Sequence, residues 1–237
     1  MSTIWTPRGV YRRVDYESEA DLESAIVEVQ RRLFGPNRFY LDVKNKIGAK
    51  GSIQNIPDGY LLDLSGAKPR LYVVENELQE HDPLRHIAVQ ILQFSLSFEG
   101  ERLGVKKVLV RALEKRPEVR KACEEYAARR EFRNFDHLLE YLVESPFSAL
   151  VVIDEMPENL ETVLSKRFQF GVEVLELARY ESEAGERIYQ FEPFLEEVVG
   201  EPISLERATP VLSPDEIDTI VVPARAEGFQ EAFLGEH

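Results

Sequence analysis

The chain has one cysteine, Cys123, one tryptophan, two methionines and four histidines in 237 residues. A single thiol excludes an internal disulfide and any zinc site built on cysteines. Its place in an amphipathic helical stretch marks Cys123 as a small buried side chain. There is no run of 18 or more apolar residues, so no membrane-spanning helix is expected. Met1-Ser2-Thr3 leads into Trp5 and charged residues rather than into the apolar stretch of a signal peptide, and the expected location is cytoplasmic. Positive charge is scarce too: 29 Lys and Arg face 43 Asp and Glu, a formal net charge of −14. Nucleic-acid binders usually show a basic footprint, so such a role would need a local answer. The Gly-Ala-Lys-Gly-Ser loop within Gly48 to Asn55 lacks the Lys-Ser/Thr ending of a phosphate-binding loop. Internal repeats and low-complexity tracts are absent.

What is present is organised around Pro57 to Gln93. Gly59 to Leu64 and Leu71 to Val74 are apolar runs that read as buried strands, and the five residues Ser65 to Pro69 join them as a hairpin. The second run ends in Glu75-Asn76-Glu77. In a strand, positions i and i+2 face the same side, so Glu75 and Glu77 are neighbours there. Two adjacent carboxylates after a buried run repel one another unless a positive group lies between them. A hard divalent cation with oxygen ligands is the natural remedy, and a solvated strand end is the plainer alternative. Asp58 heads the first strand, so an antiparallel pairing brings it close to Glu75 or Glu77. Three carboxylates would then converge on one metal ion, or on two about 3.5–4 Å apart.

Upstream, residues 17–34 read as a helix capped by Ser18, with Glu19 and Asp21 in its first turn. Leu22, Ile26, Val29 and Leu33 form its apolar stripe. Glu23 lies at the stripe's edge, where an acid is either paired or functional, while Glu19 and Glu28 read as solvated. Arg38 to Ile47 reads as a strand with Lys44 and Lys46 near its end, where they either approach a phosphate or, on the plainer reading, are merely solvated. A helix over 82–98 follows the acidic block and carries Gln90 beside its apolar face. His81 and His86 lie near its start. Val105 to Leu113 is expected to be a strand. Helices are expected over 117–130, 134–144 and 159–168, and a strand over 149–153. Val172 to Tyr180 and Arg187 to Glu192 are expected to form a terminal hairpin on the sheet edge.

Pro57-Asp58, Glu75-x-Glu77 after an apolar strand, and Glu23 on an upstream helix together resemble the PD-(D/E)XK nuclease superfamily. The resemblance covers about Glu17 to Leu113. It departs from the family at Glu77, which stands where Lys is usual; some restriction enzymes of the superfamily also carry Glu there. The implied fold is α/β, a mixed central β-sheet flanked by helices, restriction-endonuclease-like. The implied activity is a metal-dependent DNA phosphodiesterase, an endonuclease or exonuclease, using Mg²⁺ or Mn²⁺. Asp58, Glu75 and the backbone carbonyl of Asn76 would bind the metal. Glu77 would be a further ligand or general base, and Glu23 would reach the metal directly or through water. Gln90 would be an auxiliary polar group. A catalytically inactive nuclease-like domain that binds nucleic acid or protein is the alternative, and a hydrolase of another phosphoester is a third.

The local answer to the global charge lies in Glu101 to Arg133, with 11 Lys or Arg against six Asp or Glu. Arg116, Arg120, Lys121, Arg129 and Arg130 are the candidates for phosphate contact, and a solvated helix face with i,i+4 pairs is the plainer reading of them. Three segments are expected: an N-terminal arm over 1–16, a nuclease-like domain over 17–193, and an acidic tail or linker over 194–237. From Glu192 onward there are 11 Asp or Glu against two Lys or Arg, with five prolines. DNA is the expected partner. A homodimer, a missing C-terminal region, and a further domain or protein met through the tail all stay open.

Overall fold

A computed structural model describes residues 2–44, 56–79, 83–157, 160, 168, 170–192 and 194. Of the expected helix over 159–168 only Leu160 and Phe168 are described, and His81, Lys46 and all of the acidic tail except Phe194 lie outside the described residues.

The chain is a mixed α/β structure with two sheets and five helices among the described residues. The larger sheet has the order β3-β4-β5-β6-β7, formed by Arg38–Asp42, Gly59–Asp63, Arg70–Glu77, Ser148–Ile153 and Gly171–Glu176. The first three strands run antiparallel and the last two add in parallel. Helix α1 (Glu19–Leu33) covers one face. There Leu22, Ile26 and Leu33 pack with Tyr40, Leu61, Tyr72, Val74, Leu150 and Val152. Helices α2 (Pro83–Gly100), α3 (Arg102–Glu114), α4 (Pro117–Arg129) and α5 (Phe135–Glu144) share the other face's core with Tyr60, Leu62, Leu71, Val73, Ala149, Val151 and Ile153. The alternation along β5 follows from the period-two geometry of a strand: even positions turn to α1 and odd positions to the four-helix side.

Local signals set the helix ends as expected. Ser18 accepts the Asp21 amide and Asn134 accepts the His137 amide, each satisfying a donor that the first turn leaves open. The expected strand over Val105 to Leu113 is instead α3. Val105, Leu109, Ala112 and Leu113 are buried at i, i+4, i+7 and i+8, the spacing of one helix face. The short run Val108-Leu109-Val110 hides that period in the sequence.

The expected terminal hairpin forms, with Ala178–Ser182 antiparallel to Arg187–Gln190, but the sheet it joins and the start of its first run are corrected. Its first run divides at Leu177. Residues up to Glu176 complete the large sheet as β7, whereas β8 (Ala178–Ser182) and β9 (Arg187–Gln190) join β1 (Thr3–Thr6) and β2 (Gly9–Val14) in a second, antiparallel sheet of order β1-β2-β8-β9. Leu177 is held at the junction: its amide donates to Ile153 O at 2.8 Å, and its carbonyl accepts the Tyr16 hydroxyl at 3.1 Å. The N-terminal residues thus pair as a hairpin with β8, and Trp5 stays exposed on β1. Phe194 is buried against Phe34 and Tyr72, and its amide donates to Leu33 O.

Gly59 sets how closely β3 and β4 approach. A Cβ there would stand 2.6 Å from Leu41 O and 2.9 Å from the Tyr40 ring, contacts that backbone cannot relieve. Gly59→Ala is expected to cost about 1–3 kcal/mol, as overpacking does. Urea denaturation checks this, and an unchanged midpoint would contradict the packing described.

Candidate functional site

The site forms where β4 begins and β5 ends. The β4–β5 register pairs Gly59 with Val74, which sets Asp58 directly across from Glu75. The Asp58 amide donates to Val74 O at 3.2 Å, and its carboxylate then accepts the Asn76 amide at 2.8 Å. The side chain thereby takes over where the ladder's backbone acceptors stop. Proline at 57 and glycine at 59 leave aspartate as the residue that can make this cap.

Glu23 reaches the same place from α1. Lys44, two residues beyond β3, donates to Glu23 Oε1 at 2.5 Å, and its ammonium lies 3.6 Å from Asp58 Oδ1. Lys44 is therefore engaged with two acids, not merely solvated. Burial works against its ammonium, but the hydrogen bond to Glu23 and the charge of Asp58 outweigh that, and its pKa stands above the ordinary value.

Glu75 and Glu77 lie on the four-helix side of β5, as the i, i+2 spacing requires, and both are buried. Glu77 is 1% exposed, and its Oε1 accepts the Leu78 amide. Glu75 Oε2 is buried and accepts no hydrogen bond from a described residue. Burial, then the charges of Asp58 and Glu77, push the Glu75 carboxyl up to about 9. Burial likewise raises Asp58 to about 6, against the pull of the Asn76 amide. Glu75 thus holds a proton at neutral pH unless a cation replaces it.

Asn76 faces the α1 side, where its side-chain amide donates to the Tyr40 hydroxyl at 3.3 Å. Gln90 stands on α2, partly exposed, with its Oε1 buried and without a hydrogen bond. Among the described residues no group of three or more His, Cys, Asp or Glu is placed to hold a metal ion together. Asp58 and Glu75 are brought side by side; Glu23 is joined to Asp58 through Lys44.

Glu19 is a member of the site rather than a solvated acid of the first turn. It is half-buried, its charge acts on both Asp58 and Glu75, and it lines a cleft of about 450 Å³ with Glu17, Glu23, Lys44 and Leu78. The signal available in the sequence is its i, i+4 relation to Glu23, which puts both on one face of α1.

The five basic candidates divide. Arg116 donates from Nη1 to Tyr40 O at 2.7 Å and from Nε to Glu118. Arg120 pairs with Glu124, and Lys121 with Glu125, both at i, i+4. The Arg130 guanidinium lies over the Tyr126 ring. Arg129 is exposed near the end of α4. Arg116 alone of the five lines a second cleft, of about 520 Å³, together with Lys44, Arg111 and Lys115.

Among the described residues no helix is long and apolar enough to cross a membrane. No protein-family model, curated protein or solved structure matches the chain.

Proposed function

We propose that the chain is a metal-dependent phosphodiesterase acting on DNA, with a restriction-endonuclease-like fold and its centre at Asp58 and Glu75. The observation that carries this reading is the buried, unpartnered Oε2 of Glu75 in register with Asp58. A carboxyl oxygen withdrawn from water with no donor is costly. A hard divalent cation suits this donor set of carboxylate oxygens. The order of a helix carrying Glu23, then β3, β4 and β5, with α2 behind, supports the same reading.

Asp58 and Glu75 would hold Mg²⁺ or Mn²⁺, with the Asn76 carbonyl as a third donor. A bound ion of this kind supplies a water of lowered pKa and offsets charge on the phosphoryl oxygens. Asp58 is oriented by the Asn76 amide, and Lys44 holds Glu23 against it. Glu23 and Glu19 are then placed to orient water on the α1 side. Glu77, buried and bonded to the Leu78 amide, fixes the end of β5. Gln90 offers an unused acceptor on the α2 side.

A second reading has an observation of its own. The engagement of Lys44 with both Glu23 and Asp58, with glutamate at 77, favours an inert domain of the same fold that binds DNA or protein. A cleavage assay separates the two. Supercoiled plasmid, linear duplex and single-stranded DNA are incubated with Mg²⁺ or Mn²⁺, with EDTA, and with the Asp58→Ala chain. Products that need both the metal and Asp58 are expected. Identical products from both chains, or none under any condition, would remove the phosphodiesterase reading.

A further inference from the structure

We propose that the cleft between the end of β3 and α3 binds the phosphodiester backbone of a nucleic-acid strand, with Arg111 and Lys115 each neutralising a phosphate. The proposal deepens the phosphodiesterase reading and rests on it for the fate of the strand, though backbone binding can be measured without cleavage. In a chain of net charge −14, the described residues lining this cleft of about 520 Å³ gather Lys44, Arg111, Lys115 and Arg116 against one acid, Asp42. The other described residues of its walls are apolar: Leu41, Val43, Val108 and Ala112.

The charges in the cleft differ in kind from those on α4. Arg120 and Lys121 are each matched by an acid four residues on. Arg111 and Lys115 are exposed, stand four residues apart in the last turn of α3 and at its C-cap, and their side chains form no ion pair or hydrogen bond with another described residue. Both sit at the C-terminal end of α3, where the helix dipole favours positive charge, and an anion lying across the pair would relieve their mutual repulsion. Arg116 is tethered to Tyr40 O and forms fixed wall rather than free charge.

Lys44 belongs to both clefts. It lines the basic one with Arg111 and Lys115, and the acidic one with Glu19 and Glu23, while lying 3.6 Å from Asp58. A strand held by Arg111 and Lys115 would share its cleft with Lys44, the residue that links this cleft to Asp58. This sequence of charges, basic groove first and carboxylates at its end, is what a polyanion cut at one phosphate requires. It also answers the global charge: the binding surface is small, local and positive.

The test is fluorescence anisotropy of a labelled duplex of about 20 base pairs, titrated with the full chain in EDTA across a range of salt. The Arg111→Gln/Lys115→Gln chain is expected to bind at least about tenfold more weakly at 0.1 M salt. Its slope of log affinity against log salt should fall by about 1.8, or 0.9 for each phosphate no longer neutralised. Lys121→Gln/Arg129→Gln removes the same formal charge from α4 and should weaken binding less than about threefold. Equal losses in the two variants would show a bulk-charge effect and overturn the proposal, as would unchanged affinity in the first variant or no binding by the wild-type chain. Binding that depends on Arg111 and Lys115, with no cleavage under any metal, would leave the groove standing and remove the phosphodiesterase reading alone.

Discussion

Asp58→Ala is expected to lower metal-dependent DNA cleavage by at least about a hundred- to a thousand-fold, the range typical when one preorganised electrostatic group is removed from an active site. The loss should fall on the rate constant under single-turnover conditions. Asp58 makes three linked contributions. It faces Glu75 across the β4–β5 pair, it takes the Asn76 amide, and it balances Lys44 together with Glu23. Alanine removes the ligand oxygens and leaves Lys44 to Glu23. The fold should bear the change. The substitution frees the Asn76 amide but also relieves the repulsion that Asp58 exerts on Glu75. The two effects oppose each other, and the melting temperature should move by no more than a few degrees. Loss of cleavage with a preserved melting temperature is the expected pair of results. Full activity in the variant would contradict the assignment.

Glu75→Gln is expected to stabilise the metal-free chain at pH 8 and leave it unchanged near pH 4. The Glu75 carboxyl is raised to about 9 by burial and by its acidic neighbours. The folded state therefore binds its proton more tightly than the unfolded state. The stability this proton carries is fully present below the ordinary carboxyl pKa near 4.5 and is lost progressively as pH rises toward 9. At pH 8 the full linkage would be several kcal/mol; allowing for local relaxation and water entry, about 2 kcal/mol is a fair expectation. For a chain of this length that is about 4–8 °C in melting temperature. Glutamine has the shape of the protonated acid and no charge to lose. Thermal melts of both chains in EDTA, from pH 4 to pH 9, should therefore coincide at the acid end and diverge as pH rises. Parallel curves across the range would mean that Glu75 ionises as an ordinary surface acid.

A gain in stability on removing a buried acid is the mark of a position kept for something other than folding. Asp58, raised to about 6, shares the cost of burial but offsets it with the bond from the Asn76 amide. Arg38 and Asp63 offer the contrast within the same sheet. They form a buried ion pair at 3.1 Å, and Asp63 also accepts the Ser65 amide and hydroxyl. That acid is satisfied by cation and donors alike, whereas Glu75 is surrounded by acids and retains an oxygen with no donor.

The central block is legible because its signals are local. Apolar runs, a short connecting loop and strand alternation bring Asp58 near Glu75 or Glu77 without knowledge of the rest of the chain, and the register then decides for Glu75. Ser18 and Asn134 likewise announce the helices they cap. What the sequence hides depends on distant partners. Lys44 looks solvated because nothing nearby in sequence holds it; Glu23 and Asp58 arrive from 21 residues upstream and 14 downstream. Glu19 reads as a charge favoured by the helix dipole, which explains its position in the first turn but not the strand end that α1 lies against. The strand expected at Val105 to Leu113 fails because three apolar residues in a row satisfy either period, and the buried face of α3 decides between them. The second sheet is invisible for a related reason: β2 and β8 are far apart in sequence, and no local pattern says that the chain changes sheets at Leu177. The basic residues are legible as a group but not individually, since the pairing of Arg120 and Lys121 with Glu124 and Glu125, and the cleft that Arg111 and Lys115 line beside the end of β3, depend on how the helices are placed.

The most direct test is calorimetric titration of the full chain with Mn²⁺ at pH 8, beside Asp58→Ala and Glu75→Gln. The wild-type chain should bind with a measurable heat that changes with the buffer, because Glu75 must give up its proton to the cation, and each variant should lose most of that heat. No heat from the wild-type chain, or the same heat from all three, would contradict a metal centre at Asp58 and Glu75.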